Sequence, residues 1–208
     1  LGADVKVNTD TEAYVACCWK ESADAGFDIV GYTGNGSNRT ISHSLSAVPH
    51  FFVVKGRTYS SSWTVGHKIL TYTNDELLFL SGTGGIDTSA VYFNGTAPTS
   101  SVFSVGTGNS VNKSSETYFS YLWTGKQGYS KFGTFEGNGN ADGAFVDIGF
   151  KPAFVMTKSI DSSSGWHMFD NKRLGYNVDN NPLLANDSAV EATTDMIDLL
   201  SNGFKLRI

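Results

Sequence analysis

Cysteine is close to absent. Cys17 and Cys18 are the only two in 208 residues, and they are adjacent. Neighbouring side chains on an extended strand point to opposite faces, so a bond between these two needs a strained ring. A metal site built on them lacks its other ligands. Both read as free, buried or half-buried thiols, and stability must come from packing rather than from a disulfide framework. Charge is scarce as well. Charged residues make up 17% of the chain, the net charge is -5, and the basic residues are scattered singly, which leaves no electrostatic footprint for nucleic acid. No apolar run approaches the roughly 20 residues that a membrane insertion needs. The start carries no signal-peptide pattern, and its first residue is Leu1 rather than Met, as expected of a processed product or a slice of a longer chain.

Motifs for catalysis are missing too. There is no Gly-x-Ser-x-Gly elbow, no His-Glu-x-x-His, no P-loop and no Rossmann glycine pattern. The carboxylates do not alternate as on a glucanase strand, and the nearest pair, Asp75-Glu76, diverges if extended. His43, His50, His67 and His167 are isolated in sequence and read as surface or edge-strand residues. Loop carboxylates at Asp161, Asp170, Asp179 and Asp187 lack the spacing of a calcium loop. Sequons begin at Asn35, Asn38, Asn94, Asn112 and Asn186, but in a chain this rich in Asn, Ser and Thr they read as turn residues rather than glycosylation sites. The expectation is therefore a non-enzymatic protein with no catalytic residue, no metal and no cofactor.

What the chain does contain is a repeat. Residues 31–63 return as residues 133–166: Tyr32 matches Phe135, Gly34-Asn35-Gly36 matches Gly137-Asn138-Gly139, Pro49 matches Pro152, Phe51 matches Phe154, Lys55 matches Lys158 and Trp63 matches Trp166, all 103 residues apart. Asn8, Glu12, Tyr14 and Trp19 likewise precede Asn112, Glu116, Tyr118 and Trp123 by 104 residues, with Leu1-Gly2 against Val105-Gly106. At the far end Phe204 follows Phe103 by 101. Such a match predicts an internal duplication, with units at residues 1–104 and 105–208.

Glycine-rich and aromatic composition, with few helix-forming runs, makes the fold class all-β. About seven short strands per unit, separated by turn signals, predict two tandem antiparallel β-sandwiches of jelly-roll or immunoglobulin-like size. The expected strands include 11–19, 27–33, 51–55, 63–70, 90–93 and 102–105 in the first unit. In the second they are 118–123, 144–148, 153–158, 166–169 and 204–208. Phe51 to Lys55, the most apolar, suits a central position. Residues 189–200 carry a weak helical pattern. Strand 11–19 is expected to complete the second unit, or a neighbouring chain, by strand addition. Repeated aromatic positions read chiefly as core. The functional reading is a sugar-binding platform at Trp63 and Trp166, with Trp123 as a further ring to watch.

Several runs together resemble a domain family of tailed bacteriophages. They are Tyr14-Val-Ala-Cys-Cys-Trp-Lys-Glu, Gly26-Phe-Asp-Ile-Val-Gly-Tyr-Thr-Gly-Asn-Gly, Val48-Pro-His-Phe-Phe-Val-Val-Lys, Ala97-Pro-Thr-Ser-Ser-Val-Phe, Phe150-Lys-Pro-Ala-Phe-Val-Met and Leu200-Ser-Asn-Gly-Phe-Lys-Leu-Arg. That family, common in marine phages, sits in large virion or tail-fibre proteins, often beside concanavalin-A-like, LamG-type domains, and supplies no catalytic motif. In such relatives the Asn-Gly-Phe run is followed by another aromatic strand, so the resemblance implies a slice of a longer protein. It also implies an extracellular virion location on a tail or capsid surface. The expected partners are copies of itself, with a trimer for a fibre, other virion proteins and host-surface glycan. A carbohydrate-binding lectin-like module is the alternative, and a glycan-degrading enzyme is a third, weaker reading.

Overall fold

The structure, a computed structural model, describes residues 4, 6–173, 177 and 180–207. Its strands are β1 (Phe27–Thr33), β2 (Arg39–Ser42), β3 (Phe51–Gly56), β4 (Thr64–His67), β5 (Glu76–Phe79), β6 (Asp87–Thr88) and β7 (Val102–Val105). They continue with β8 (Thr117–Trp123), β9 (Asp142–Asp147), β10 (Phe154–Thr157), β11 (His167–Asp170), β12 (Leu183–Leu184), β13 (Ile197–Leu200) and β14 (Gly203–Arg207). Two single-turn helices, α1 (Ala90–Phe93) and α2 (Asn109–Asn112), interrupt them. The fold is all-β, as its composition predicts.

The main sheet has six antiparallel strands in the order β1-β8-β3-β4-β5-β6. Strand β3 buries Phe51, Phe52, Val53 and Val54 in succession, as befits a central strand covered on both faces. On β8 the alternation is clean, with Tyr118, Ser120 and Leu122 buried and their neighbours half-buried. A second, two-stranded sheet of β2 and β7 packs over this core through Ile41, Phe103 and Val105, with Phe52 and Phe103 rings 5.4 Å apart. The arrangement is sandwich-like.

Tyr118 and Asn112 pin the loops to this layer. The Tyr118 hydroxyl accepts from the Lys113 amide at 2.8 Å and lies 2.8 Å from the Tyr59 hydroxyl. Asn112 is fully buried; it accepts from the Asn35 amide (3.0 Å) and donates to the carbonyls of Ser37 (2.6 Å) and Gly106 (2.8 Å). That burial removes Asn112 from the possible glycosylation sites. A Cβ at Gly34 would meet the Lys113 carbonyl at 2.1 Å, so the Gly-Asn-Gly turn must begin with glycine for this close approach.

A smaller unit is built from two three-stranded sheets, β10-β11-β12 and β13-β14-β9. They enclose a second core of Val155, Phe169, Ile197, Leu199 and Phe204. The two cores do not follow the division expected at residues 104 and 105. Strand β8 lies between β1 and β3, so a boundary there would remove the centre of the main sheet. Three local expectations also change. Residues 11–19 form no strand, residues 90–93 turn as α1, and residues 197–200 of the weak helical pattern pair with β14 as β13. Ile208 and Leu1-Gly2 lie outside the described residues.

Trp166 joins the units. It is 4% exposed, and its indole N–H donates to the Phe79 carbonyl at 3.0 Å, 6.4 Å from the Phe51 ring. Backbone bonds reinforce the joint: Ser164 donates to Thr83 (2.8 Å), and Ile86 donates to Ile160 (2.9 Å). Trp166→Ala is therefore expected to destabilise the protein by about 3 to 5 kcal/mol. Trp63→Ala, at a surface position, should cost less than about 1 kcal/mol. Equilibrium denaturant unfolding of the two variants, with equal losses for both, would contradict this joint.

Candidate functional site

The sequence places a sugar platform on Trp63 and Trp166, and the structure separates the two. Trp166 is core, so its ring face is not available to a ligand; this corrects the paired-platform expectation, and the reason is the apolar joint it fills. Trp63 is 38% exposed just before β4, with the Lys55 ammonium 5.6 Å above its ring. The same lysine donates to the Ser61 carbonyl at 2.6 Å, which holds the cation in place. Trp123 stacks on Phe27 at 4.9 Å and is half-buried.

The histidines change more. His50 and His67 read as isolated, but the antiparallel β3–β4 ladder sets Phe51 opposite His67 and so brings the two histidines to one end of the sheet. Their rings lie 6.2 and 6.5 Å from that of Phe132. His50 Nδ1 accepts the Gly125 amide at 3.0 Å, and His67 Nδ1 accepts the Ile69 amide at 3.2 Å. Both bonds require unprotonated Nδ1 atoms. Burial lowers the His50 pKa, with the Lys68 charge adding to it. Burial, then Lys68 and His50, push that of His67 down to about 4. His43 and His167 remain apart from this pair.

A cleft of about 360 Å³ opens beside His50. It is lined by His50, Lys68, Lys126, Ser130, Lys131 and Phe132, together with the Gly125–Gly128 turn and residues 148–150. Reciprocal backbone bonds between Lys126 and Ser130 (3.0 and 2.9 Å) close the turn, and Gly128 at φ 72 makes it possible. Lys131 donates to the Asp147 carbonyl at 2.9 Å. Three lysines and no carboxylate line the space, in a chain of net charge -5, although most of the exposed lining is apolar and the Lys131 ammonium is held by the Asp147 carbonyl. Such a lining favours an anionic or polyhydroxylated ligand.

A family model described as a domain of unknown function, DUF7483, matches residues 1–208. The chain belongs to the DUF7483 family. No curated protein and no solved structure matches it.

Elsewhere in this DUF7483 member the carboxylates serve structure. Asp170 accepts from the Arg173 side chain at 2.6 Å, Glu191 takes the other arm of Arg173 at 2.8 Å, and Asp28 accepts the Ser44 amide at 2.6 Å. Asp179 lies outside the described residues. Among the described residues no group of three or more His, Cys, Asp or Glu side chains is placed to hold a metal ion. Cys17 and Cys18 are both exposed, against the expectation of buried thiols, because residues 11–20 lie outside every sheet. No helix among the described residues is long and apolar enough to cross a membrane.

The His67 shift fixes a pH dependence. Its folded pKa lies below the unfolded value near 6.5, so between pH 6.5 and about 4 the unfolded chain binds the extra proton. Its contribution to stability is whole above pH 6.5 and is lost as pH falls through about 4. Unfolding free energy measured across that window should fall less steeply in His67→Gln than in the wild type; identical slopes would contradict the assignment.

Proposed function

We propose that this DUF7483 chain is a non-enzymatic structural segment of a tailed-bacteriophage virion, in a tail fibre, appendage or capsid-surface protein. The sequence runs that resemble phage virion proteins motivate the reading, and the observation that carries it is the Trp166 joint. Two sandwich-like units share a buried aromatic side chain and two backbone bonds, which favours a stiff pair over beads on a linker. A rigid β body with long turns suits an external part that must resist proteolysis while its loops vary. Copies of the chain associate symmetrically, as a trimer in a fibre. Immunogold labelling of virions of the encoding phage, with antibodies raised against the purified chain, is expected to decorate the tail or capsid at regular positions. Unlabelled particles that also contain no peptide of this chain would overturn the reading.

The cleft beside His50 favours a second role, binding of an anionic host-surface glycan. Its lysines attract the charge, and the turn amides and Ser130 suit hydroxyl groups. On this reading Lys68→Ala with Lys126→Ala lowers affinity for sialylated or uronic-acid glycans about tenfold or more. Binding of neutral sugars stays unchanged in a glycan-array titration. Equal effects on neutral and acidic glycans would remove the cleft from the role.

A further inference from the structure

Strand β10 stands at the edge of its sheet. It pairs with β11 on one side, and among the described residues nothing pairs with it on the other. Its counterpart β3 is covered on both sides, by β4 and β8. The correspondence is visible in the ladders. Strands β3 and β4 pair from Phe51↔His67 to Val54↔Thr64, and β10 and β11 pair from Phe154↔Asp170 to Thr157↔His167, each residue displaced by 103. Strand β9 also pairs antiparallel with β14 as β2 does with β7, but in a shifted register: Phe103 faces Ile41, whereas Phe204 faces Val146. The edge-on contact of Tyr32 with Phe103 at 6.3 Å recurs as Phe135 with Phe204 at 5.7 Å. What does not recur among the described residues is a neighbour of β10 matching β8.

A second copy of the β8 sequence is nevertheless present, ahead of β1. Tyr14 and Trp19 stand 104 residues before Tyr118 and Trp123, in a segment that is exposed and belongs to no sheet. The Trp19 ring lies 5.9 Å from Phe154, the first residue of β10. In the larger unit Trp123 lies 5.5 Å from Phe51, the first residue of β3, and these two are ladder partners. Burial raises the Cys17 pKa, and the charge of Asp170, the ladder partner of Phe154, adds to it. The segment is already beside the edge that it matches.

We propose that residues 14–19 are the missing strand of the smaller unit and add antiparallel to the free edge of β10 within the same chain. Transferring the β3–β8 register gives Phe154↔Trp19, Val155↔Cys18, Met156↔Cys17 and Thr157↔Ala16. Tyr14, Ala16 and Cys18 take the inward positions that Tyr118, Ser120 and Leu122 hold in β8. The addition satisfies the unpaired amides and carbonyls of an otherwise aggregation-prone edge, and it ties the start of the chain to its second core. It rests on the fold and not on the virion reading.

Two measurements on the full 208-residue chain test it. In the wild type, native alkylation should modify Cys18 about tenfold or more slower than Cys17, with equal rates in denaturant. Equal native rates would overturn the proposal. In the double variant Cys18→Ala, Met156→Cys, mild oxidation of dilute protein should link position 156 to Cys17 within one molecule, identified by peptide mapping. The one-residue slip Cys18→Ala, Val155→Cys should not link, since its thiol faces the opposite side. No link, equal linking of both variants, or covalent dimers that persist on dilution would overturn it, the last by giving the strand to a second copy.

Discussion

The larger unit depends on one strand inserted late. Strand β8 hydrogen-bonds to β1 along its whole length and to β3 on its other edge, although both partners precede it by more than sixty residues. Every element between them must therefore be folded back before the sheet can close. The inward row of Tyr118, Ser120 and Leu122 makes that closure specific, because a slip of one residue would turn Phe119 and Tyr121 inward instead. The loops answer to the same strand. Tyr118 reaches Lys113 and Tyr59, and Asn112 holds the Gly34–Ser37 turn from the adjoining helix. Pairings of this sequence separation belong to slow-folding β topologies.

Equivalent residues have divergent fates at the joint. Trp63 and Trp166 occupy the same phase of the repeat, yet one stands at the surface under Lys55 and the other fills a pocket against Phe79 and Phe51. The difference is one of neighbours, not of local structure, since both tryptophans directly precede the strand that pairs with β3 or β10. Trp166 packs against the larger unit, whereas Trp63 carries Lys55 over its ring. The joint between the two units rests on this single buried ring and the backbone bonds around it, and it is the observation behind the proposed structural role.

The cleft beside His50 shows how a site arises from the same topology. Strand register carries His67 to the level of Phe51, the β8 carbonyl at Trp123 receives the His50 amide at 2.7 Å, and the tight turn after β8 brings lysines over the opening. Both imidazoles are kept neutral by burial and by amides that donate to Nδ1, so the positive charge of the cleft resides on its lysines.

Much of this was legible in the residues themselves. Low charge, abundant glycine and aromatic alternation determined an all-β chain and the central place of Phe51 to Val54, because side-chain period and turn chemistry are local properties. The boundary at residues 104 and 105, the paired platform of Trp63 and Trp166 and the isolated histidines were not legible. Each depends on which distant segment comes to lie alongside, and a repeated sequence offers two equivalent partners for every strand. Tertiary structure made that choice: β8 went to the larger unit, Trp166 to its core, and His50 to the side of His67, since burial and hydrogen bonding are satisfied between segments that the sequence alone cannot pair.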